Sequence, residues 1–315
     1  MNNFKVSVVV LTYYHEKYLK KALDSILSQK CNFNYEIQIG DDCSKDGTIE
    51  IIKKYKELYP KMIFYHQNES NNGISSNLYD TMCRCRGEYI TILAGDDYFI
   101  DDDKLEKQVE FLDNHEEYLA HAVCLESRWD NEEKYFDINP IPKFRNKEIT
   151  LDMFLNSGSF STGGLMFRNE FLSNEGREYY KLITQISKMV DDLPFCILLL
   201  KKGRVYNSDE LMYAHRVFKD TKNNNNYNSR FSRFKKFKIN IDLLNALDKY
   251  YDNEIDFSIR YKKSISIGFL SMLLDHNYKE FNEVMNTIPN KYRTVILKGI
   301  LGSFFVGIKY VLKRI

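Results

Sequence analysis

Four times in the first 115 residues the chain passes from a short β-branched or aromatic run to a stretch of helical period, and that alternation restricts the fold more than any other feature. Val6-Ser7-Val8-Val9-Val10-Leu11 is a continuous apolar run of the kind a parallel strand shows when both its faces are covered. After it, Leu19, Ala22, Leu23, Ile26 and Leu27 recur at helical spacing between Tyr18 and Gln29. Tyr35–Ile39 reads as a second strand and Ile49–Leu58 as a helix, then Met62–Tyr65 as a third strand. Asn71-Asn72-Gly73 makes a turn into a helix over Ile74–Cys85. Tyr89–Leu93 is the fourth strand, and Asp103–Asn114 a helix turning Leu105, Val109 and Leu112 inward. Strand–helix repeats of this length wind right-handedly onto a parallel sheet, so the expectation is an α/β fold.

Beyond residue 118 the pattern is mixed. Strand-like pieces at Ala120–Leu125, Gly164–Phe167 and Leu211–Ala214 alternate with helical stretches near 148–156, 170–186 and 192–202. After a polar loop containing Asn223-Asn224-Asn225-Asn226, the remainder reads as wholly helical. The expected organisation is one domain over residues 1–218, in halves 1–115 and 116–218, followed by a helical region over 219–315. The formal net charge of +1 conceals an asymmetry: residues 201–315 hold 22 of the 45 Lys and Arg but 11 of the 44 Asp and Glu. Met1–Lys5 leads straight into the first strand pattern, so no leader peptide is expected. Cys31, Cys43, Cys83, Cys85, Cys124 and Cys196 lack the spacing of a secreted disulfide framework and read as reduced cytosolic thiols. Cys83-x-Cys85 has no second pair at a metal-binding distance in sequence.

The chemistry-bearing residues stand where strands end. Ala94-Gly95-Asp96-Asp97-Tyr98-Phe99 follows the fourth strand, and in open α/β sheets ligands bind outside the carboxyl ends of the strands. Adjacent carboxylates there suit a hard divalent cation shared with a phosphate, and a ribose. An acidic turn before the next helix is the plainer alternative. No G-x-G-x-x-G follows the first strand, where Leu11-Thr12-Tyr13-Tyr14-His15-Glu16 stands instead, which argues against a dinucleotide-binding oxidoreductase and a Walker-type loop. The second strand ends in Gly40-Asp41-Asp42-Cys43-Ser44-Lys45-Asp46-Gly47-Thr48, where one carboxylate could accept the ring N–H of a uracil or similar base.

In order and spacing, these pieces resemble the nucleotide-sugar half of family 2 glycosyltransferases with the GT-A fold. The resemblance runs through Val6–Tyr13, Gly40–Thr48, Asn72-Gly73, Arg86-Gly87-Glu88-Tyr89-Ile90 and Gly95-Asp96-Asp97-Tyr98. Asp97-Tyr98-Phe99 with Lys104-Leu105-x-x-Gln108-Val109-x-Phe111-Leu112 is similar to the bacterial branch that builds surface polysaccharides. It covers residues 5–115 closely and 150–218 more loosely. It implies a Rossmann-like mixed sheet with flanking helices, a nucleotide-sugar donor, UDP favoured over dTDP, and Mn²⁺ or Mg²⁺. It also implies nucleotide contacts from Thr12, Tyr13, Asp42 (or Asp41), Asn72, Gly73 and Arg86, with Asp96 on the ribose and Asp97 on the metal. Arg84, with Arg86, is a candidate to neutralise the diphosphate, and an ordinary surface arginine is the alternative for both. Many relatives carry another Asp two residues before the first of the pair; here Ala94 stands there, so the metal would rest on fewer protein ligands.

Sugar transfer needs a stabilised leaving diphosphate and a base for the attacking hydroxyl. In-line attack inverts the anomeric carbon and puts the base opposite the nucleotide. Met189-Val190-Asp191-Asp192-Leu193-Pro194-Phe195 resembles the family's acidic pair at a helix start, with Asp192 the favoured base and Asp191 second. Helix capping ahead of Leu193-Pro194 is compatible with that role. Ser161, Thr162 and Gly163 fall where relatives form the acceptor pocket, although a plain entry into a strand fits them too. His215 could approach the metal and Arg216 a phosphate, while a lone His at a strand end is also an ordinary structural residue.

The helical region carries Arg230, Arg233, Lys235, Lys236 and Lys238 among Phe231, Phe234 and Phe237. Near the end, Lys291, Lys298, Lys309 and Lys313 repeat on one helical stripe beside the apolar residues of 295–315. Gly299–Ile308 falls short of the roughly 20 apolar residues of a membrane span. A wide apolar face beside a Lys stripe suits an interfacial helix; a core helix or an oligomer contact are the alternatives. No nucleic-acid partner is expected. The composite expectation is an inverting enzyme extending a lipid-linked surface glycan at the inner membrane face. A processive synthase is disfavoured by the lack of spanning helices, and a non-catalytic nucleotide-sugar-binding scaffold of the same fold is the rival from another class.

Overall fold

The computed structural model describes residues 4–130, 134–139, 142–157, 160, 162–169, 184, 192–218 and 231–293. The chain divides into two compact units, Met1–Asp220 and Thr221–Ile315.

In the first unit, β1 (Val6–Thr12) and β2 (Tyr35–Asp41) are buried along their whole length, as the unbroken β-branched pattern of β1 requires. They pair in parallel with each other, with β3 (Ile63–Gln67) outside β2 and β4 (Tyr89–Ala94) on the other side of β1. The crossovers are α1 (Leu19–Leu27), α2 (Thr48–Leu58) and α3 (Ile74–Met82). Leu19, Ala22, Leu23 and Ile26 of α1 are fully buried and join Val6, Val8, Val10, Ile37 and Ile39 in one core. This half follows the periodicity closely, because each element buries one continuous apolar set.

The second half makes the sheet mixed. After β4 come the two-residue β5 (Tyr98–Phe99), α4 (Lys104–Asn114), β6 (Tyr118–Trp129), β7 (Tyr135–Asn139), β8 (Lys147–Ile149), α5 (Leu151–Ser157), β9 (Leu165–Arg168), α6 (Asp192–Lys202) and β10 (Arg204–Val217). The strand order is β3-β2-β1-β4-β9-β6-β10-β5, with β7 beside β6 and β8 beside β10. β9 lies antiparallel between β4 and β6, which returns β6 and β10 to the direction of β1. The carboxyl ends of β1, β2, β4, β6 and β10 therefore share one sheet edge, and β9 begins at that edge.

The sequence expectation needs correcting on the extents of two strands and on three short strands it did not foresee. β6 and β10 run well past Ala120–Leu125 and Leu211–Ala214. In β10 the polar stretch before Leu211 stays in the strand because its side chains find partners: Asn207 donates to the Phe144 carbonyl at 2.7 Å. Irregular pairing between Asn207 and Leu211 absorbs the change of pattern. β5, β7 and β8 had no period to betray them. The helix expected near 170–186 lies outside the described residues.

The second unit contains α7 (Arg233–Tyr250), α8 (Ser258–Asp275) and α9 (Tyr278–Thr287). Ser232 caps α7 through its hydroxyl, which accepts from the Lys235 amide. Phe237, Leu244, Tyr261, Ile265 and Phe281 fill the interior between them, and a Cβ on Gly268 would stand 2.6 Å from the Phe237 ring. No described helix is long and apolar enough to cross a membrane.

Candidate active site

Asp41 and Asp42 end β2 and are both buried, yet they serve different loops. Asp41 accepts from the Thr12 hydroxyl at 2.8 Å, the Ser44 hydroxyl at 2.5 Å, the Ser44 amide at 2.9 Å and the Gln67 amide group at 3.1 Å. Four donors occupy the roughly four acceptor positions of a carboxylate. Asp42 accepts from Asn68 at 2.9 Å and from the backbone amides of Asn72 at 2.8 Å and Gly73 at 2.9 Å. Its Oδ2 carries one of those bonds, which leaves room for a further donor. Gly73, at φ 89°, supplies the left-handed turn that brings its amide to Asp42. The loop after β1 is stitched to the same wall: the Tyr14 amide donates to Ser44 and the His15 amide to Thr48, whose hydroxyl donates to Asp46. Tyr13 and Tyr14 meet edge to face at 4.6 Å on that rim.

At the end of β4, Asp97 is buried and Asp96 more open. β10 supplies every described partner of the Asp97 carboxylate. The Tyr213 phenol donates to Oδ2, the Arg216 amide to Oδ1 at 2.7 Å, and His215 Nδ1 lies 3.3 Å from Oδ2. Pairing of β5 with β10, Ala214 opposite Tyr98, brings them together. Burial lowers the His215 basicity, but its bond to Asp97 and the charges of Asp97, Asp96 and Asp192 outweigh this and push it up to about 9. Asp96 is raised, chiefly by lost solvation; Asp97 adds to this, and His15 and His215 oppose it. His15 Nε2 stands 3.9 Å from Asp96 Oδ2, and its Nδ1 is buried without a partner among the described residues.

Asp192 opens α6, and its Oδ1 accepts from the Thr162 hydroxyl at 2.6 Å. Thr162 begins the 3₁₀ turn Thr162–Gly164 ahead of β9. The middle residue, Gly163, lies against the Tyr213 ring: a Cβ there would stand 2.4 Å from Cζ and 2.5 Å from the hydroxyl. A chain of contacts thus runs from Asp97 through Tyr213 and the Thr162–Gly164 turn to Asp192.

The structure brings together Thr12, Asp41, Asp42, Asn72 and Gly73 as one cluster, and Asp97, His215, Gly163, Thr162 and Asp192 as another, with Asp96 next to Asp97. Asp191 and Ser161 lie outside the described residues. Arg86 is elsewhere. It precedes β4 and so stands at the amino edge of the sheet, where its guanidinium pairs with the fully buried Glu36 and lies over Phe4 and Phe64. The expectation that it contacts nucleotide is corrected on that ground. Arg84 donates to the Asp80 carbonyl at 2.6 Å, an ordinary helix-end bond. Arg216 donates to the Asp96 carbonyl at 2.7 Å, approaches Asp130 at 3.6 Å and lies over Tyr18, so it braces the acidic turn. Tyr213, Gly163 as a packing residue, Tyr18 and Asp130 were not assigned such places by the sequence; alternation along one strand was the available signal for Tyr213, two residues before His215.

No described cluster of three or more His, Cys, Asp or Glu side chains could hold a metal alone. Asp97 and His215 nonetheless converge at one point, where a cation would have to displace the proton His215 shares with Asp97 to gain its nitrogen, and Asp97 keeps an acceptor position in reserve. That set fits a hard divalent cation completed by diphosphate oxygens.

Comparison with known proteins agrees with this layout. The family model "Glycosyl transferase family 2" matches residues 7–175. The chain is 39% identical over 114 residues to the putative glycosyltransferase EpsE of Bacillus subtilis, covering 36% of this chain and 40% of that protein. It is 32% identical over 165 residues to the uncharacterized protein Rv1520 of Mycobacterium tuberculosis, covering 52% and 47%. The chain thus spans about half the length of the curated relatives it matches. Among solved structures, TarS residues 1–349 of S. aureus in complex with UDP-GlcNAc superposes with a TM-score of 0.54 at 18% identity, covering 95% of this chain and 92% of that one. That likeness shows the fold, and the mixed sheet with flanking helices is the GT-A architecture expected from the sequence. With more than half its length matched by the family model, the chain belongs to glycosyl transferase family 2.

Proposed function

We propose that this protein is a metal-dependent, inverting glycosyltransferase. It moves a sugar from a nucleoside diphosphate sugar, UDP favoured, to a hydroxyl of a lipid-linked surface glycan. The observation that carries this reading is the contact chain Asp97–Tyr213–Gly163–Thr162–Asp192, which joins a carboxylate suited to a metal to a carboxylate suited to a base. Asp42, with acceptor capacity left on Oδ2, takes the ring N–H of the base, and Asp96 takes the ribose. Asp97 and His215 would hold Mn²⁺ or Mg²⁺, which supplies charge neutralisation to the departing diphosphate. Asp192, exposed at the start of α6 and oriented by Thr162, accepts the proton of the attacking hydroxyl, an effect of about 10²–10⁴ in rate. Asp191 is second in line, and Ser161, Thr162 and Gly163 border the acceptor.

A surface-glycan acceptor is supported by relatives named for teichuronic acid biosynthesis (TuaG of Bacillus subtilis) and for poly(ribitol-phosphate) β-N-acetylglucosaminyl transfer (TarS of Staphylococcus aureus). Peripheral membrane association is supported by α8, where Ile267, Leu270, Leu273 and Leu274 are exposed on one face with Lys262 and Lys263. Residues 219–315 would serve that association and oligomer contacts, and 1–218 the catalysis.

The test is a thermal-shift or calorimetric titration with UDP, GDP, CDP and dTDP, each with and without Mn²⁺. Stabilisation by UDP that depends on Mn²⁺ and vanishes in Asp97→Ala is expected. Asp192→Asn should keep nucleotide affinity and lose turnover. No nucleotide effect under any condition would leave the scaffold reading in front.

A further inference from the structure

Lys104 is fully buried at the start of α4, and no carboxylate of the described residues pairs with it. Fully buried lysines without a partner are rare, because desolvating the ammonium is costly. Its Nζ donates to Gln108 Oε1 at 2.6 Å and to Thr91 Oγ1 at 3.1 Å, and lies 4.4 Å from the centre of the Phe99 ring. Burial pushes it down to about 7, with the Asp101 charge opposing.

The bonds beyond Lys104 have a fixed direction. Because Gln108 Oε1 is taken by Lys104, its NH₂ group must face away. There it donates to the carbonyls of His121 at 3.0 Å and Gly164 at 3.2 Å. Because Thr91 Oγ1 accepts from Lys104, its own proton is free for the Leu165 carbonyl at 2.6 Å. Gly164 and Leu165 are the end of the Thr162–Gly164 turn and the start of β9. The close approach of Gly164 to the strand behind it, where a Cβ would stand 2.7 Å from the Val123 carbonyl oxygen, seats the turn from the same side. The His121 ring, stacked on Phe111 at 4.1 Å, leaves both nitrogens without a described partner, so the network gains no competing acceptor from it.

We propose that Lys104 and Gln108 are positioning residues. With Thr91 they hold the carbonyls of Gly164 and Leu165 from inside the core, and so fix the turn whose outer side carries the Thr162–Asp192 bond and the Tyr213 contact. A methionine at position 104 would fill similar volume without the desolvation cost. What a donor adds there is the orientation of Gln108. The link to turnover rests on the glycosyltransferase reading; the clamp itself does not.

The experiment uses the full chain and its Lys104→Met and Gln108→Met variants. Three quantities are read: amide exchange in the peptide spanning residues 162–168, UDP affinity without metal, and turnover of UDP-GlcNAc. The clamp predicts faster exchange in that peptide in both variants and unchanged metal-free UDP affinity. Turnover should fall by about 10²-fold, the loss expected when a reacting group is displaced by ~1 Å. A filler role for Lys104 predicts unchanged exchange there, and that result overturns the proposal. So does a loss of metal-free UDP affinity in proportion to turnover, which would place the damage on the donor side. If Lys104→Met fails to fold, Thr91→Val removes the Leu165 bond with little change of shape and must itself speed exchange at residues 162–168. Wild-type protein that neither binds UDP nor turns over UDP-GlcNAc would sink the functional reading instead, and the exchange measurement would still decide the clamp.

Discussion

The Tyr213 ring occupies the space that a side chain on residue 163 would need, and Tyr213 reaches Asp97 from that seat. One residue comes from the turn before β9, the other from the middle of β10, 50 positions later. Their contact couples the turn before β9 to the carboxylate suited to the metal. A single methyl group is enough to test it.

Gly163→Ala should push the Tyr213 ring off Asp97. The expected result is a loss of at least about tenfold, 1.4 kcal/mol, in the Mn²⁺-dependent part of UDP affinity, with the metal-independent part unchanged. Tyr213→Phe, which keeps the ring and removes the hydroxyl, should lose less of the same component. Calorimetric titrations with and without Mn²⁺ decide; an alanine variant with full metal dependence would show that the contact is incidental.

Asp41→Ala should act on stability before it acts on binding. It leaves three buried donors and the half-buried Gln67 amide group without their acceptor, and an unsatisfied buried group costs about 1–3 kcal/mol, so a loss of about 3 kcal/mol or more in urea unfolding is expected. Asp42→Asn should unfold closer to wild type and lose affinity for UDP even without metal.

Arg86→Met should weaken the fold and spare the crevice. Its guanidinium is half exposed, but its partner Glu36 has no solvent to fall back on. Removing it should cost about 1–3 kcal/mol of stability while UDP titrations superimpose on wild type. A drop in nucleotide affinity without a drop in stability would restore the sequence-based expectation.

Lys104 makes a pH prediction whose sign follows from linkage. Its folded-state value of about 7 lies below the ordinary lysine value of 10.5, so between those limits the unfolded chain binds more protons. Stability should therefore rise with pH from about 7 towards 10 in wild type relative to Lys104→Met, by at most about 1.4 kcal/mol per pH unit. His121, pushed down to about 3 by burial, then by the Lys104 and His115 charges, stays neutral in both states across that window. Asp101 stays ionised. Urea midpoints of the two proteins at several pH values provide the check, and a constant difference would mean that Lys104 stays charged throughout.

The first half of the fold was readable because parallel strands covered on both faces have no polar positions to confuse the pattern; β1 is the clearest case. β10 was read as four residues instead of fourteen because Asn207, Ser208 and Asp209 look like a loop until their tertiary partners are known. Asp42, Asp97 and Asp192 could be picked out from order and spacing, since each stands where an element ends or begins. Which of Asp41 and Asp42 keeps spare acceptor capacity depends on four donors from three separate segments, which no local pattern reveals. Arg86 shows an avoidable error: a residue just before a parallel strand lies at the opposite edge from the residues just after it. The buried ammonium of Lys104 was not readable, because a lysine flanking the Leu105, Val109 and Leu112 stripe ordinarily turns its amine to solvent, as the half-buried Lys107 on the same helix does towards Asp101.

β9 runs against its neighbours, and that reversal has a consequence for specificity. Where the other strands deliver their exits to the crevice, β9 delivers its entrance. The turn into it can be lengthened or rewritten without altering any segment that leaves β1, β2 or β4. Under the proposed function, donor and acceptor contacts would then lie in separate stretches of chain that meet at one edge and touch where Gly163 rests on Tyr213, so acceptor choice could be rewritten in that turn as long as this one contact is kept.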